Sequence, residues 1–162
     1  MFDLPSVPTW DGFHPLVVHF PIVLLIVAPL LILIGMLKPK FGKCLFIAGF
    51  ILMALGTIST YFAVATGEEA GELAMRTEQI NQVIGIHENL AETTRIYFSI
   101  MTIVYLAYLF YEKIFKKEFK HKVHVLINIA FLIIYSIGLL ILANTAHNGG
   151  RLVHELGVRA IM

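Results

Sequence analysis

Four long apolar stretches dominate this chain and restrict what it can fold into. Each has about 20 residues, the length that a helix rising about 1.5 Å per residue needs to cross a hydrocarbon core of about 30 Å. Strands of a membrane β-barrel would be shorter and would alternate polar with apolar residues. The pattern therefore predicts four membrane-spanning helices, over residues 16–37, 44–66, 93–111 and 123–146.

The composition supports this interpretation. Of the 162 residues, 58% are hydrophobic and 14% are charged, whereas about 25% of a soluble domain is charged. The length fits a single domain over residues 1–162. The one cysteine, Cys44, excludes an intrachain disulfide and any CxxC motif. We expect an all-α, integral membrane four-helix bundle whose partner is the lipid bilayer, with no nucleic acid bound.

The positions of the lysines predict the orientation. The positive-inside rule places lysine-rich loops in the cytoplasm. Both termini and residues 67–92 then lie outside, as in a multi-pass protein of a bacterial-type inner (cytoplasmic) membrane with periplasmic termini. All lysines lie between the first and second spans or between the third and fourth: Lys38, Lys40, Lys43, Lys113, Lys116, Lys117, Lys120 and Lys122.

The outer loop is predicted to contain an additional polar helix over residues 68–81. Glu68 and Glu69 would occupy its first turn, where the helix dipole favours negative charge. Gly85 is expected to break this helix before a second one runs through His87 into the third span.

Ionisable groups in or near a membrane are costly, so their positions indicate where function lies. Five of the seven histidines fall at the predicted outer side, and arginines and carboxylates accompany them. Several spans therefore bring imidazole groups to a similar depth, which indicates an outward-facing site. The histidines are His14, His19, His87, His147 and His154.

The start of the first span suggests how one imidazole is oriented. Pro15 suits the first helical position, which leaves His14 near the N-cap. Pro21 cannot donate to the carbonyl of Val17. This carbonyl could accept an N–H from His19 and leave the other ring nitrogen as a ligand. In the alternative interpretation, the imidazoles only join helices by hydrogen bonds and the arginines reach towards lipid phosphates.

Three segments form a recognisable pattern: HPLVVHFPI at residues 14–22, His87 with Arg95, and HNGGRLVHELGV at residues 147–158. The pattern resembles the four-span bacterial membrane family called domain of unknown function 2231, over nearly the whole chain. One departure is that His154 and Leu156 occupy positions where relatives commonly have tyrosine and histidine. Some relatives are joined to Rieske-type or cytochrome c-type domains, so the resemblance implies electron transfer.

The leading hypothesis is a haem b-binding electron-transfer subunit rather than a stand-alone enzyme. It would pass electrons between a quinone or membrane subunit and an outside redox protein such as a cytochrome. His19 and His147 are the expected ligand pair. The other candidates are His14 and His87, as a second pair or as propionate partners, and Arg95 and Arg151, as counter-charges for the propionates.

Two alternatives remain open from the sequence. One is a non-haem zinc, iron or copper site, built from two or three of the same four histidines plus Glu68 or Glu92. The other is a non-catalytic anchoring or assembly subunit of a larger membrane complex.

Overall fold

The computed structural model describes residues 9–115 and 120–158, apart from the side chains of Asp11, Glu112 and Lys113. Within these ranges the regular secondary structure is helical, without a strand. Four helices are long and apolar enough to cross a membrane, which confirms the predicted all-α, four-span fold. The α-helices are α1 (His14–Val17), α2 (His19–Leu37), α3 (Gly42–Glu72), α4 (Glu78–Phe115) and α5 (His121–His154).

The first span consists of α1 and α2, which together cover His14–Leu37. Because Pro21 has no N–H for the Val17 carbonyl, the ladder of helical hydrogen bonds is interrupted at this point. Val18 separates the two segments but keeps helical dihedral angles, φ −60° and ψ −25°. The chain therefore continues in the same direction, with His14 on a single turn ahead of the long helix.

The four spans form a closed ring of neighbours. α2 packs on α3, α3 on α4, α4 on α5, and α5 on α2. The first and third spans are therefore diagonal to each other, as are the second and fourth. We call the end with His14 and the α3–α4 turn the histidine end. The opposite end, with Lys38, Lys43 and Lys122, is the lysine end; Lys116 and Lys117 lie outside the described residues.

The interior contains large side chains, and the outer surface is also apolar. Phe98, Tyr105 and Tyr135 are almost completely buried. The Tyr135 hydroxyl donates to the Leu25 carbonyl at 2.9 Å, which joins the fourth span to the first. Many leucines and isoleucines are exposed on the outside. This surface suits lipid, which solvates apolar side chains without a hydrophobic penalty.

The predicted separate polar helix over residues 68–81 is wrong. Helix α3 continues from the second span as far as Glu72, and α4 already begins at Glu78. Thr77 lies just before α4, where its hydroxyl accepts the N–H of Ile80 at 3.2 Å as an N-cap. The polar residues therefore lie on extensions of two membrane-spanning helices and not on a helix of their own.

Gly85 does not break the helix as predicted, because α4 runs through it into the third span. An internal glycine costs a helix only about 1 kcal/mol. Packing offsets this cost, since the extension of α4 has its own apolar contacts at the histidine end. The buried residues in contact there are Ile80, Val83 and Ile84 of α4 and Leu152 of α5.

Candidate functional site

A cavity of about 640 Å³ lies between the four spans at the histidine end. Its size is within the range of about 300–1,000 Å³ that is usual for ligand sites. Apolar side chains such as Ile22, Val64 and Leu142 form most of its wall. The titratable residues that line it are His14, Glu68, Glu72, Arg76, His87, Glu88 and Glu92.

His14 is held by a threonine of the second span. Its Nδ1 lies 3.1 Å from the hydroxyl oxygen of Thr66. That hydroxyl donates its one hydrogen to the carbonyl of Phe62, at 2.9 Å. The hydroxyl also reaches the Ala63 carbonyl, at 3.2 Å, so two carbonyls can accept its hydrogen and its oxygen is left to accept from Nδ1–H of His14. The Nε2 lone pair of His14 remains available to a ligand.

His87 is held in a similar way by the fourth span. Its Nδ1 lies 2.9 Å from the backbone carbonyl oxygen of Thr145. A carbonyl oxygen only accepts hydrogen bonds, so Nδ1 carries the proton in this ring as well. The neutral His87 side chain therefore also keeps its Nε2 lone pair.

The two imidazoles meet across the bundle. His14 belongs to the first span and His87 to the third, so they come from diagonal helices. Their ring centroids are 6.5 Å apart, and the ring planes are almost perpendicular, at 84°. We call these two residues the histidine pair. Both of its members line the same cavity.

A glycine of the neighbouring span lies against each ring. A Cβ atom on Gly67 would be 2.8 Å from Cε1 of His14, and one on Gly149 would be 3.0 Å from Cε1 of His87. A side chain at either position would therefore push against an imidazole. In both halves of the chain the odd-numbered span supplies the histidine, and the next span supplies the hydrogen-bond acceptor and the glycine.

The predicted ligand pair of His19 and His147 is not brought together. Both side chains are exposed on the outside of the bundle, and neither lines the cavity. His154, the last residue of α5, is exposed as well. Of the four histidines predicted to bind a cofactor, the structure brings together His14 and His87.

The predicted counter-charges Arg95 and Arg151 do not line the cavity either. Arg95 donates to Glu92 at 2.9 Å, and its guanidinium lies over the ring of Tyr61, 5.4 Å from the centroid. Arg151 forms an ion pair with Glu155 at 3.2 Å. Both guanidinium groups already have carboxylate partners.

Arg76, in the turn between α3 and α4, does line the cavity, although it was not among the predicted site residues. It donates to the side-chain oxygen of Asn81 at 3.2 Å. Thr66 and Gly67 were also missed, although a threonine and a glycine at the end of an apolar span are a visible signal. No side-chain signal could have identified Thr145 as the partner of His87, because the contact is made by its backbone carbonyl.

The described part of the chain contains no group of three histidine, cysteine, aspartate or glutamate side chains that could hold a metal ion. Glu68 and Glu92, the carboxylates considered for such a site, line the cavity without forming a group of this kind with the histidines. The arrangement offers two imidazoles in an apolar cavity with charged residues in its wall.

Residues 11–161 match the protein family described as "Predicted membrane protein (DUF2231)". No curated protein and no solved structure matches the chain. The match covers nearly all of the chain and agrees with the resemblance noted in the sequence. The chain therefore belongs to the DUF2231 family of predicted membrane proteins.

Proposed function

We propose that this membrane protein binds one haem b between His14 and His87 and serves as an electron-transfer subunit. The observation that carries the proposal is the histidine pair, with its two Nδ1–H tautomers fixed by neighbouring helices beside a cavity. Haem iron is commonly held by histidines, and bundle cores are a usual place for such sites. When bound, haem supplies an iron that takes up and releases single electrons.

The spacing of their rings would let His14 and His87 hold one metal ion between them. Two imidazoles on opposite sides of one metal ion, with metal–nitrogen bonds of about 2.0–2.1 Å, have centroids about 6.4 Å apart. With a tetrahedral angle at the metal the centroids would be about 5.2 Å apart. The observed 6.5 Å is close to the first value. An edge-to-face contact of two bare rings also occurs at this distance, so the test must detect the haem itself.

The number of ligands favours haem over a non-haem metal. The porphyrin supplies four nitrogens, so the protein has to add only two. A zinc, iron or copper site without a porphyrin usually needs at least three protein ligands. Among the described residues a pair of histidines is present and a group of three ligands is not.

The charged residues of the cavity suggest how haem would be oriented. Its propionates would lie towards the charged residues of the histidine end, where Arg76 replaces Arg95 and Arg151 as the proposed partner. The apolar part of the cavity wall, with Val64 and Leu142, would surround the porphyrin ring. The glutamates of the cavity would favour the oxidised iron, because it carries more positive charge.

We further propose that the lysine end faces the cytoplasm and the histidine end faces the periplasm, where a redox protein would exchange electrons with the haem. The support is the positive-inside rule, since all lysines of the sequence lie between the first and second spans or between the third and fourth. Alkaline phosphatase fused to the C-terminus should be active, and the same reporter inserted between α2 and α3 should be inactive. The reverse result would contradict this orientation.

The decisive experiment is a reduced-minus-oxidised visible spectrum of the chain, purified in detergent after expression with haem supplied. We expect a sharp α-band and a Soret shift at one haem per chain. His14→Ala and His87→Ala should abolish this low-spin spectrum. His19→Ala and His147→Ala are the matched controls and should leave it unchanged, because these side chains do not line the cavity.

Two results would contradict the proposal. If the chain bound no haem, the proposed cofactor would be wrong, and an anchoring or assembly subunit would be the better interpretation. A low-spin spectrum that is lost in His19→Ala but kept in His14→Ala would show that a different pair holds the iron.

A further inference from the structure

The two histidines of the pair are not held equally. His87 donates to a backbone carbonyl at 2.9 Å, whereas His14 donates to the hydroxyl of Thr66 at 3.1 Å. The hydrogen-bond partner of a ligating imidazole raises its basicity and fixes its orientation. A backbone carbonyl is the stronger acceptor and cannot rotate away. His14 also interacts with the Ala63 carbonyl, so the two rings differ chiefly in hydrogen-bond length and in the helices that carry them.

The helices that hold the two residues differ as well. His87 lies inside the 38-residue α4, with helical turns on both sides. His14 is the first residue of the four-residue α1, and Val18 separates that turn from α2. Helix ends open more readily than helix interiors. A small local opening can therefore move His14 without disturbing the rest of the bundle.

We propose that His14 is the exchangeable ligand of the pair and that a small neutral molecule can take its place on the ferrous iron while His87 remains bound. This inference rests on the proposed haem site. The exchange moves no electrons: the bond from Nε2 of His14 breaks, and the lone pair of the incoming molecule forms the new bond. Thr66 is then a positioning residue that determines how easily His14 leaves.

The test uses carbon monoxide as the probe, added to the reduced, haem-loaded protein and followed by the Soret band. We expect carbon monoxide to bind slowly and to saturate in the wild-type chain. In Thr66→Val, which removes the hydroxyl hydrogen-bonded to His14, the apparent affinity for carbon monoxide should rise about 10–100-fold, the usual effect of removing such a partner. Thr66→Ser keeps the hydroxyl and should bind carbon monoxide with the wild-type affinity.

A matched control is available on the same helix. Thr57 is also buried and hydrogen-bonded, but its hydroxyl contacts Thr102 at 2.8 Å and the carbonyl of Phe98 at 3.3 Å, not His14. Thr57→Val should leave the affinity for carbon monoxide unchanged. An equal rise in Thr57→Val and Thr66→Val would show a general loosening of the bundle and would overturn the role of Thr66.

A second measurement does not need haem. Amide hydrogen exchange of the haem-free chain should be faster at Val18, whose N–H bonds the His14 carbonyl at 3.2 Å, than at Ala91 inside α4. Equal exchange, or a haem-loaded protein that does not bind carbon monoxide, would overturn this inference and leave the haem site intact. A chain without any haem spectrum would instead overturn the proposed function.

Discussion

Each end of the bundle has a polar cluster that contains histidine, and the two clusters are built differently. At the lysine end, the Asn128 side chain donates to the Tyr108 hydroxyl at 2.8 Å and to the His124 carbonyl at 2.9 Å. It also accepts from the Tyr105 hydroxyl at 3.2 Å. We call these four residues the lysine-end network. Asn128 and Tyr105 are almost completely buried, with exposed fractions of 0% and 1%.

The comparison shows how polar groups inside a membrane bundle can have different roles. In the lysine-end network the amide of Asn128 uses both its donors and its acceptor within the protein, so it joins the third and fourth spans. In the histidine pair each neutral ring uses one nitrogen for a neighbouring helix, and the ring lines a cavity. The first arrangement stabilises the bundle, whereas the second leaves lone pairs for a ligand.

The largest effect on haem affinity is expected for Gly149→Ala. The new Cβ of Gly149→Ala would lie 3.0 Å from Cε1 of His87 and displace the ring. Haem affinity should fall about 10–100-fold, as for other changes that disturb the support of a ligand. Gly150→Ala is the control, because nothing lies within 4 Å of its new Cβ. Titration of the haem-free variants with haem gives both affinities, and equal values would contradict the role of Gly149.

At the lysine end, Asn128→Leu should destabilise the fold and leave the haem spectrum unchanged. The substitution leaves the Tyr105 hydroxyl buried without its acceptor, at a cost of about 2 kcal/mol. Thermal or denaturant unfolding in detergent measures the stability, and the visible spectrum of the same sample reports the haem. If Asn128→Leu were fully folded but bound no haem, the two clusters would be coupled.

Gly85→Ala should stabilise the histidine end. Nothing lies within 4 Å of the new Cβ, and alanine favours an internal helical position over glycine by about 0.5–1 kcal/mol. The expected result is a higher unfolding temperature with unchanged haem affinity. A lower unfolding temperature would indicate that the backbone at Gly85 is not continuously helical.

The smallest effect concerns the charge of the cavity. Glu88 lines it next to His87 in the sequence, so Glu88→Gln removes negative charge near the proposed iron. The reduction potential should rise on the order of tens of millivolts, because the oxidised iron loses electrostatic support. Glu78→Gln is the control, since Glu78 does not line the cavity. Potentiometric titration at low salt should give the larger rise for Glu88→Gln.

Much of the fold was predictable because the bilayer restricts it. A spanning backbone must satisfy its hydrogen bonds internally, so about 20 apolar residues in a row indicate a helix whatever its neighbours are. The helix ends were less predictable. Residues 67–72 and 78–92 contain many polar residues but continue the spans as helices. The extension of α4 packs in one apolar cluster with Leu152 of α5, which is distant in the sequence.

The candidate site was only partly predictable, for a geometrical reason. His14 and His19 are five residues apart, which corresponds to about 140° around a helix, so both cannot face the interior. His147 is two residues, or about 200°, from the buried Thr145. The sequence alone therefore determined four spans and a concentration of histidines at one end. Only the tertiary structure decided which imidazoles face the cavity, because the rotation of each helix about its axis is set by packing against its neighbours.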